Sequence, residues 1–190
     1  MPIQIDEIQL QYPIASGGMG TVWYGTTPHG PVAVKTLRLS SQAKVQALCA
    51  EALQVARLHH SHIIQLYDYG MIDEHTASLS EGELQAMEPY LVMEYATAGT
   101  LLDHMPQNVE QLLTILHQQL NAISHAHARG IIHRDIKPEN ILCFRHSGTI
   151  STKLSDFGIA AALTGDGPAK ALGERVGSLH YMAPEQALGT

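Results

Sequence analysis

Between residues 32 and 39 the side chains sort with a period of two, and from residue 40 the period changes. Thr21 to Tyr24 follow a glycine-rich stretch, and the next apolar run puts Ala33, Lys35, Leu37 and Leu39 on one side, so residues 10–39 predict strands. From Ser40 onward the spacing is helical. Val45, Leu48, Ala52 and Val55 make one stripe, Glu51 borders it, and Ser40 or Ser41 stands where a cap belongs. Residues 63–69 and 90–95 predict two further strands, parted by a polar run at 73–88 that reads as a surface insertion. The clearest helix starts at Asn108, where Asn108 and Gln111 fit a capping box. Leu112, Leu113, Leu116, Leu120 and Ile123 form its stripe, and Gly130 stops it. A strand-rich front, a connector at 96–99 and a helical back predict an α+β fold in two lobes, residues 1–95 and 96–190.

Composition narrows the function classes. The 190 residues are 45% hydrophobic with a net charge of −7, which suits a globular chain. The 11 Lys and Arg residues are scattered, which argues against a nucleic-acid or anionic-membrane surface. Cys49 and Cys143 lie far apart without metal-binding or redox spacing, so they read as thiols in a reducing compartment. With no charged-then-apolar leader and no long apolar run, the expected location is cytoplasmic, with no membrane segment in this chain.

Candidate chemistry sits in four short runs. ASGGMGTV at 15–22 is a glycine-rich turn between strands, which either cradles a phosphate with backbone N–H groups or is only a hairpin. No Lys-Ser/Thr follows it, and a strand rather than a helix comes next, so it is neither a Walker A loop nor a dinucleotide-binding turn. VAVK at 32–35 puts the Lys35 ammonium one strand away, with Glu51 on the next helix to hold it. HRDIKPEN at 133–140 and SDFG at 155–158 gather Asp135, Lys137, Asn140 and Asp156, a carboxylate, a cation and two hard oxygen donors suited to Mg²⁺ and phosphates. The histidines at 59–62, 125, 127 and 133 bring no carboxylate or cysteine at ligand spacing, so they read as solvated or hydrogen-bonded imidazoles.

As an ordered series these runs resemble the Ser/Thr protein kinases, specifically the eukaryotic-like (Hanks-type) bacterial class, from about Tyr12 to the last residue. The resemblance implies a two-lobed protein-kinase-like fold, with an antiparallel sheet and one helix in the first lobe and a mainly helical second lobe. It implies transfer of the ATP γ-phosphoryl group to Ser or Thr hydroxyls of proteins, with ATP and Mg²⁺ as cofactors and a kinase dimer left open as a partner. Position by position, Ile14, Gly17, Gly18, Gly20 and Val22 would cover ATP, and Lys35 would contact its α/β-phosphates while paired with Glu51. Asp135 would accept the substrate hydroxyl proton, Lys137 would steady the γ-phosphate, and Asn140 and Asp156 would hold Mg²⁺. Met93 would be the gatekeeper, Glu94 and Ala96 the hinge that meets adenine, and Val22, Ala33 and Leu142 the sandwich around the base. Arg134, Phe157, Thr164, Ser178 and Glu185 would carry regulation, with His133 stacked on Phe157 and with Val55 and Leu66 beside them.

The sequence departs from the family at three places. Ala15 stands where the first glycine belongs, which predicts at most a weakened ATP contact. No Ser or Thr lies between Thr164 and Ser178, so the usual activation-loop phosphosite is missing; Glu174 offers a fixed negative charge toward Arg134 instead. Five residues after Glu185 the chain stops, and the family's later helices would be expected beyond it. The chain therefore reads as a C-terminally truncated catalytic domain lacking the lower part of its second lobe. Each of Leu112, Leu116, Leu120 and Ile123 left uncovered forfeits roughly 1.5–3 kcal/mol, so such a chain is expected to be marginal or aggregation-prone. Two rival readings are a nucleotide-binding or regulatory kinase fragment without turnover, and an incomplete gene product with no function of its own.

Overall fold

The computed structural model describes residues 3–18, 20–39, 41–146, 148–157 and 178–184, with the backbone alone at Gln42, Glu51, His146, Ser178 and Leu179. Its contacts divide it into two units, Met1–Ala52 with Gln65–Tyr95, and Leu53–Ile64 with Ala96–Thr190.

The first unit is built on six antiparallel strands in the order β1-β2-β3-β4-β6-β5: β1 Ile3–Ile5, β2 Ile8–Gly17, β3 Gly20–Thr27, β4 Gly30–Leu37, β5 Leu66–Met71 and β6 Pro89–Glu94. Period-two patterning sorts their side chains. Trp23 pairs with Val34 and Val34 with Val92, and these join Ile5, Ile8, Leu10, Val32 and Tyr90 in one buried cluster. Residues one step along each strand turn to the other face. Pro13, which has no N–H for the ladder, falls between two register shifts of β2, where its missing donor does least harm.

The run at 73–88 lies mostly at the surface, as its polarity predicts, and is internally ordered. It holds the helix α2, Glu74–Leu79, capped by Asp73, whose carboxylate accepts from the Thr76 N–H at 2.7 Å and from its hydroxyl at 2.9 Å. Ser80 is buried and self-satisfied: its hydroxyl donates to the Ala77 carbonyl at 2.7 Å and accepts the Leu84 N–H at 3.0 Å. Ile72 and Leu84 drop from this excursion into the core, and Ala77 packs against it. The helix α1, Gln42–Val55, starts at Ser41, whose carbonyl accepts from Lys44 and Val45 and whose hydroxyl lies 3.4 Å from the Lys44 N–H. Leu48, Ala52 and Val55 are buried as their spacing predicts, and Val45 is half-buried.

The second unit joins the long helix α3, Val109–His127, to a hairpin of β7, Ile141–His146, and β8, Thr149–Leu154. Asn108 caps α3 by accepting the Gln111 N–H at 2.9 Å; the return bond from Gln111 goes to the Gln107 N–H at 2.8 Å rather than to Asn108. Gly130, at φ 75, ends the helix and lets the Ile131 N–H reach back to the Ala126 carbonyl at 3.0 Å. The face of α3 that meets the hairpin is made of small and amide side chains. Ala122 and Ala126 are fully buried, and Gln118 accepts from the Thr152 N–H at 2.9 Å and hydroxyl at 2.6 Å while Gln119 donates to that hydroxyl at 2.8 Å. Leu58, Ile63, Leu101, Leu154 and Phe157 complete this core. Leu112, Leu113, Leu116 and Leu120 are all exposed, while Ile123 packs against the core. Among the described residues no helix is long and apolar enough to cross a membrane.

Candidate active site

In the first unit the register gathers one group of the candidate residues. Val22 pairs with Lys35, Ala33 with Met93, and Lys35 with Leu91, so Val22, Ala33, Lys35 and Met93 share the sheet face opposite the buried cluster. Met93 is buried, and the Glu94 N–H donates to the Gln65 carbonyl at 3.0 Å. Ala96 is half-buried and opens the second unit. Gly17 faces Gly20 at the tip of the β2–β3 ribbon, and the two glycines are not equivalent. Gly20 has φ 139, and a Cβ there would lie 1.8 Å from the Thr36 carbonyl oxygen, whereas nothing lies within 4 Å of one added at Gly17 or Gly18. Ala15 pairs with Val22 just past the second register shift of β2, outside the turn itself. Ile14 sits at the second register shift of β2 and is 47% exposed.

In the second unit the HRDIKPEN segment is organised from beneath by His133, which is buried. Its Nδ1 accepts the Asp135 N–H at 3.2 Å and its Nε2 lies 2.7 Å from the Ser155 carbonyl, so the neutral tautomer with the proton on Nε2 satisfies both bonds. Burial lowers the His133 pKa, only partly opposed by the Ser155 bond and the charges of Asp156 and Asp135, and so favours that neutral form. The imidazole packs 4.6 Å from the Phe157 ring at 57°, and Val55 lies in the same core as Phe157. Leu66 belongs to the first unit.

Above this histidine one carboxylate oxygen is held twice. Asp135 Oδ2 receives Lys137 Nζ at 3.1 Å and Asn140 Nδ2 at 3.1 Å, and the same Nδ2 donates to the Asp135 carbonyl at 2.7 Å. Asn140 is buried, and its own carbonyl accepts from the Ser155 N–H at 2.8 Å and hydroxyl at 3.0 Å. Ser155 therefore ties the two motifs together, accepting from His133 and donating to Asn140. In the sequence the only signal of this role is a small hydroxyl beside an acid. Asp156 follows it at φ 62 and Arg134 stands at φ 65, two non-glycine residues in left-handed backbone of the kind that persists where surrounding bonds over-determine it. Leu142, half-buried, lies in β7 opposite Lys153 and bridges to Thr100.

With Asn140 Nδ2 committed to Asp135, its Oδ1 is the atom that suits a hard cation, as does the Asp156 carboxylate; both are oxygen donors of the type Mg²⁺ takes. The histidines near residue 60 are bonded among themselves and to backbone. His60 Nδ1 accepts the His62 N–H at 3.1 Å, His62 Nδ1 lies 3.0 Å from the Thr152 carbonyl, and the His60 ring is 4.9 Å from that of His125. Burial, then His125, His62 and Arg129, lower the His60 pKa. Among the described residues no three His, Cys, Asp or Glu side chains are grouped to hold a metal. The side chains of Glu51 and Ser178, and all of Thr164, Glu174 and Glu185, lie outside the described residues; the Ser178 backbone opens a 3₁₀ turn, Ser178–Tyr181.

Comparison with known proteins agrees with this geometry. The protein kinase domain model matches residues 8–189. Serine/threonine-protein kinase PrkC of Bacillus subtilis is 35% identical over 185 residues, 93% of this chain and 26% of that protein. Serine/threonine-protein kinase PknA of Mycobacterium tuberculosis is 37% identical over 190 residues, 95% of this chain and 41% of that protein. The chain thus spans well under half the length of these curated relatives. The crystal structure of the Mycobacterium tuberculosis PknI kinase domain superposes with a TM-score of 0.66 at 25% identity, covering 83% of this chain and 62% of that one. Its α+β architecture is accordingly protein-kinase-like, and with a family model matched over nearly its whole length, the chain belongs to the protein kinase domain family.

Proposed function

We propose that this chain carries the phosphotransfer apparatus of an ATP- and Mg²⁺-dependent protein kinase that acts on Ser and Thr hydroxyls of protein substrates in the cytoplasm. The observation that carries this reading is the Asp135–Lys137–Asn140 constellation, seated on a buried neutral histidine. Two donors occupy Asp135 Oδ2, so Oδ1 is the acceptor offered to an incoming hydroxyl. In the transfer, the bond between the ATP β,γ-bridging oxygen and the γ-phosphorus breaks. A bond from the substrate oxygen to that phosphorus forms, ADP leaves, and the hydroxyl proton passes to the Asp135 carboxylate. Lys137, 3.1 Å from Asp135, supplies a cation where charge collects on the moving phosphoryl group. Asn140 and Asp156 would hold Mg²⁺, which would supply charge neutralisation to the phosphates. On the first unit, Val22, Ala33 and Met93 would offer the apolar face for the adenine, Glu94 would supply backbone for its edge, and Lys35 would meet the α/β-phosphates. Ile14, Gly17, Gly18 and Gly20 cover them. PrkC and PknA, both named as serine/threonine kinases, support the choice of hydroxyl acceptor.

The test is transfer of labelled phosphate from ATP to a generic protein substrate. Asp135→Asn keeps the shape and the acceptor carbonyl but removes the base, and the rate should fall about 10²–10⁴-fold. Equal rates for the variant and the parent chain would overturn the assignment.

A further inference from the structure

Three tyrosines from separate stretches meet on the same sheet face as Val22, Ala33, Lys35 and Met93. Tyr12 pairs with Tyr24, Tyr24 with Ala33, and Ala33 with Met93, so one row of side chains runs straight across β2, β3, β4 and β6. The Tyr12 and Tyr24 rings stack at 5.1 Å and 19°, and Tyr95, just past the end of β6, meets Tyr24 edge-on at 4.8 Å and 70°. Burial raises the Tyr95 pKa, with the Tyr12 and Tyr24 phenols and a hydrogen bond to Tyr12 adding to it.

The need for such a cluster lies in β2. From Gln11 to Gly17 the strand is exposed at every residue, and its ladder with β3 is interrupted between Leu10 and Tyr12 and again between Pro13 and Ala15. No core burial holds this half of the ribbon down. Its side-chain ties to β3 are a Ser16–Thr21 hydroxyl pair at 3.1 Å, a Gln11–Thr26 bond at 3.3 Å and the Tyr12 stack. The stack is the one that continues past β3 to the end of β6.

We propose that Tyr12, Tyr24 and Tyr95 form an aromatic clasp that sets the position of the glycine-bearing β2–β3 ribbon over the bound nucleotide, making them positioning residues for ATP affinity. The inference rests on the nucleotide-binding reading above. A ribbon that spends part of its time lifted away binds ATP in proportion to the fraction of time it is seated, so loosening the clasp weakens apparent affinity without touching the transfer step.

Calorimetric titration of the chain with ATP in the presence of Mg²⁺ tests it on Tyr24→Phe, Tyr24→Leu and Tyr12→Ala. Tyr24→Phe retains both ring contacts and should stay within about 2-fold of the parent, while Tyr24→Leu and Tyr12→Ala should bind about 5–10-fold more weakly. Tyr12 is 51% exposed, so its variant is the one expected to keep the parent's urea midpoint. In the phosphotransfer assay the weakened variants should raise KM for ATP and leave kcat within about 2-fold. A purely structural role would instead move the midpoint and spare affinity. ATP binding by the parent with unchanged affinity in both Tyr24→Leu and Tyr12→Ala overturns the clasp and leaves the functional reading standing. No saturable ATP binding by the parent overturns both.

Discussion

Strand β4 and helix α3 are both rich in apolar residues, yet they settle their faces differently. In β4 each residue has one of two sides to choose, and both are specified: Val32 and Val34 enter the buried cluster, while Ala33 and Lys35 take the face shared with Met93 and Leu91. In α3 the leucine stripe at 112, 116 and 120 is the most apolar line along the helix, but the buried line is Gln119, Ala122 and Ala126. What decides is how close the hairpin must come. Alanines let β8 approach, and the Gln118 and Gln119 amides then reach Thr152. A period in the sequence therefore names a candidate face, and close approach with satisfied polar groups selects the one that is used.

The sharpest way to break the sheet side of this comparison is Gly20→Ala. The new Cβ would meet the Thr36 carbonyl oxygen at 1.8 Å on backbone already at φ 139, and carbonyl oxygens of a paired strand cannot move aside alone. Chemical denaturation should show a loss of about 3 kcal/mol or more, whereas Gly17→Ala and Gly18→Ala, with open space around them, should stay within about 0.5 kcal/mol. Comparable midpoints for all three variants would mean that the close β3–β4 approach at Gly20 does not constrain the sheet.

On the helix side, Ala122→Leu adds three carbons to a position with no exposure, against the core that holds Leu154 and Phe157. Overpacking of that kind costs about 1–3 kcal/mol. A midpoint equal to the parent's would show that the alanine face does not carry the docking of α3. The loss should be visible in urea with an unchanged slope, since the helix stays formed and only its seat is disturbed.

How much of this was legible beforehand varied with the kind of signal. The strand faces and the α1 stripe followed from periodicity, because Val34, Leu48 and Ala52 bury where the pattern puts them. The HRDIKPEN and SDFG residues were found by order and spacing, although the Ser155 joint between them depends on backbone carbonyls that no residue pattern encodes. The polar run at 73–88 lies mostly at the surface as its polarity predicts, but its internal order is not legible, because its hydroxyls and carboxylates bond within the excursion itself. Thr76 and Ser80 are buried with partners a few residues away, and polarity in sequence does not distinguish a solvated group from a locally satisfied one. The tyrosine row has no signature in the sequence, since Tyr12, Tyr24 and Tyr95 become neighbours only through the register.

The smallest expected effect gives the finest test of the contrast. Leu116 and Leu120 are 47% and 64% exposed, and on α3 they lie one turn apart along the outer stripe. If the alanine side is what holds α3 to the hairpin, Leu116→Gln with Leu120→Gln removes apolar surface that water already reaches and keeps good helix formers in place. Unfolding stability should then stay within about 0.5 kcal/mol of the parent. Self-association should change instead, because contiguous exposed leucines are the feature that drives it. Sedimentation of the double variant should show less concentration-dependent assembly than the parent at an unchanged urea midpoint. A loss of about 2 kcal/mol or more, the scale of truly buried leucines, would show that these side chains are covered in solution and that the leucine stripe is a working face of the helix.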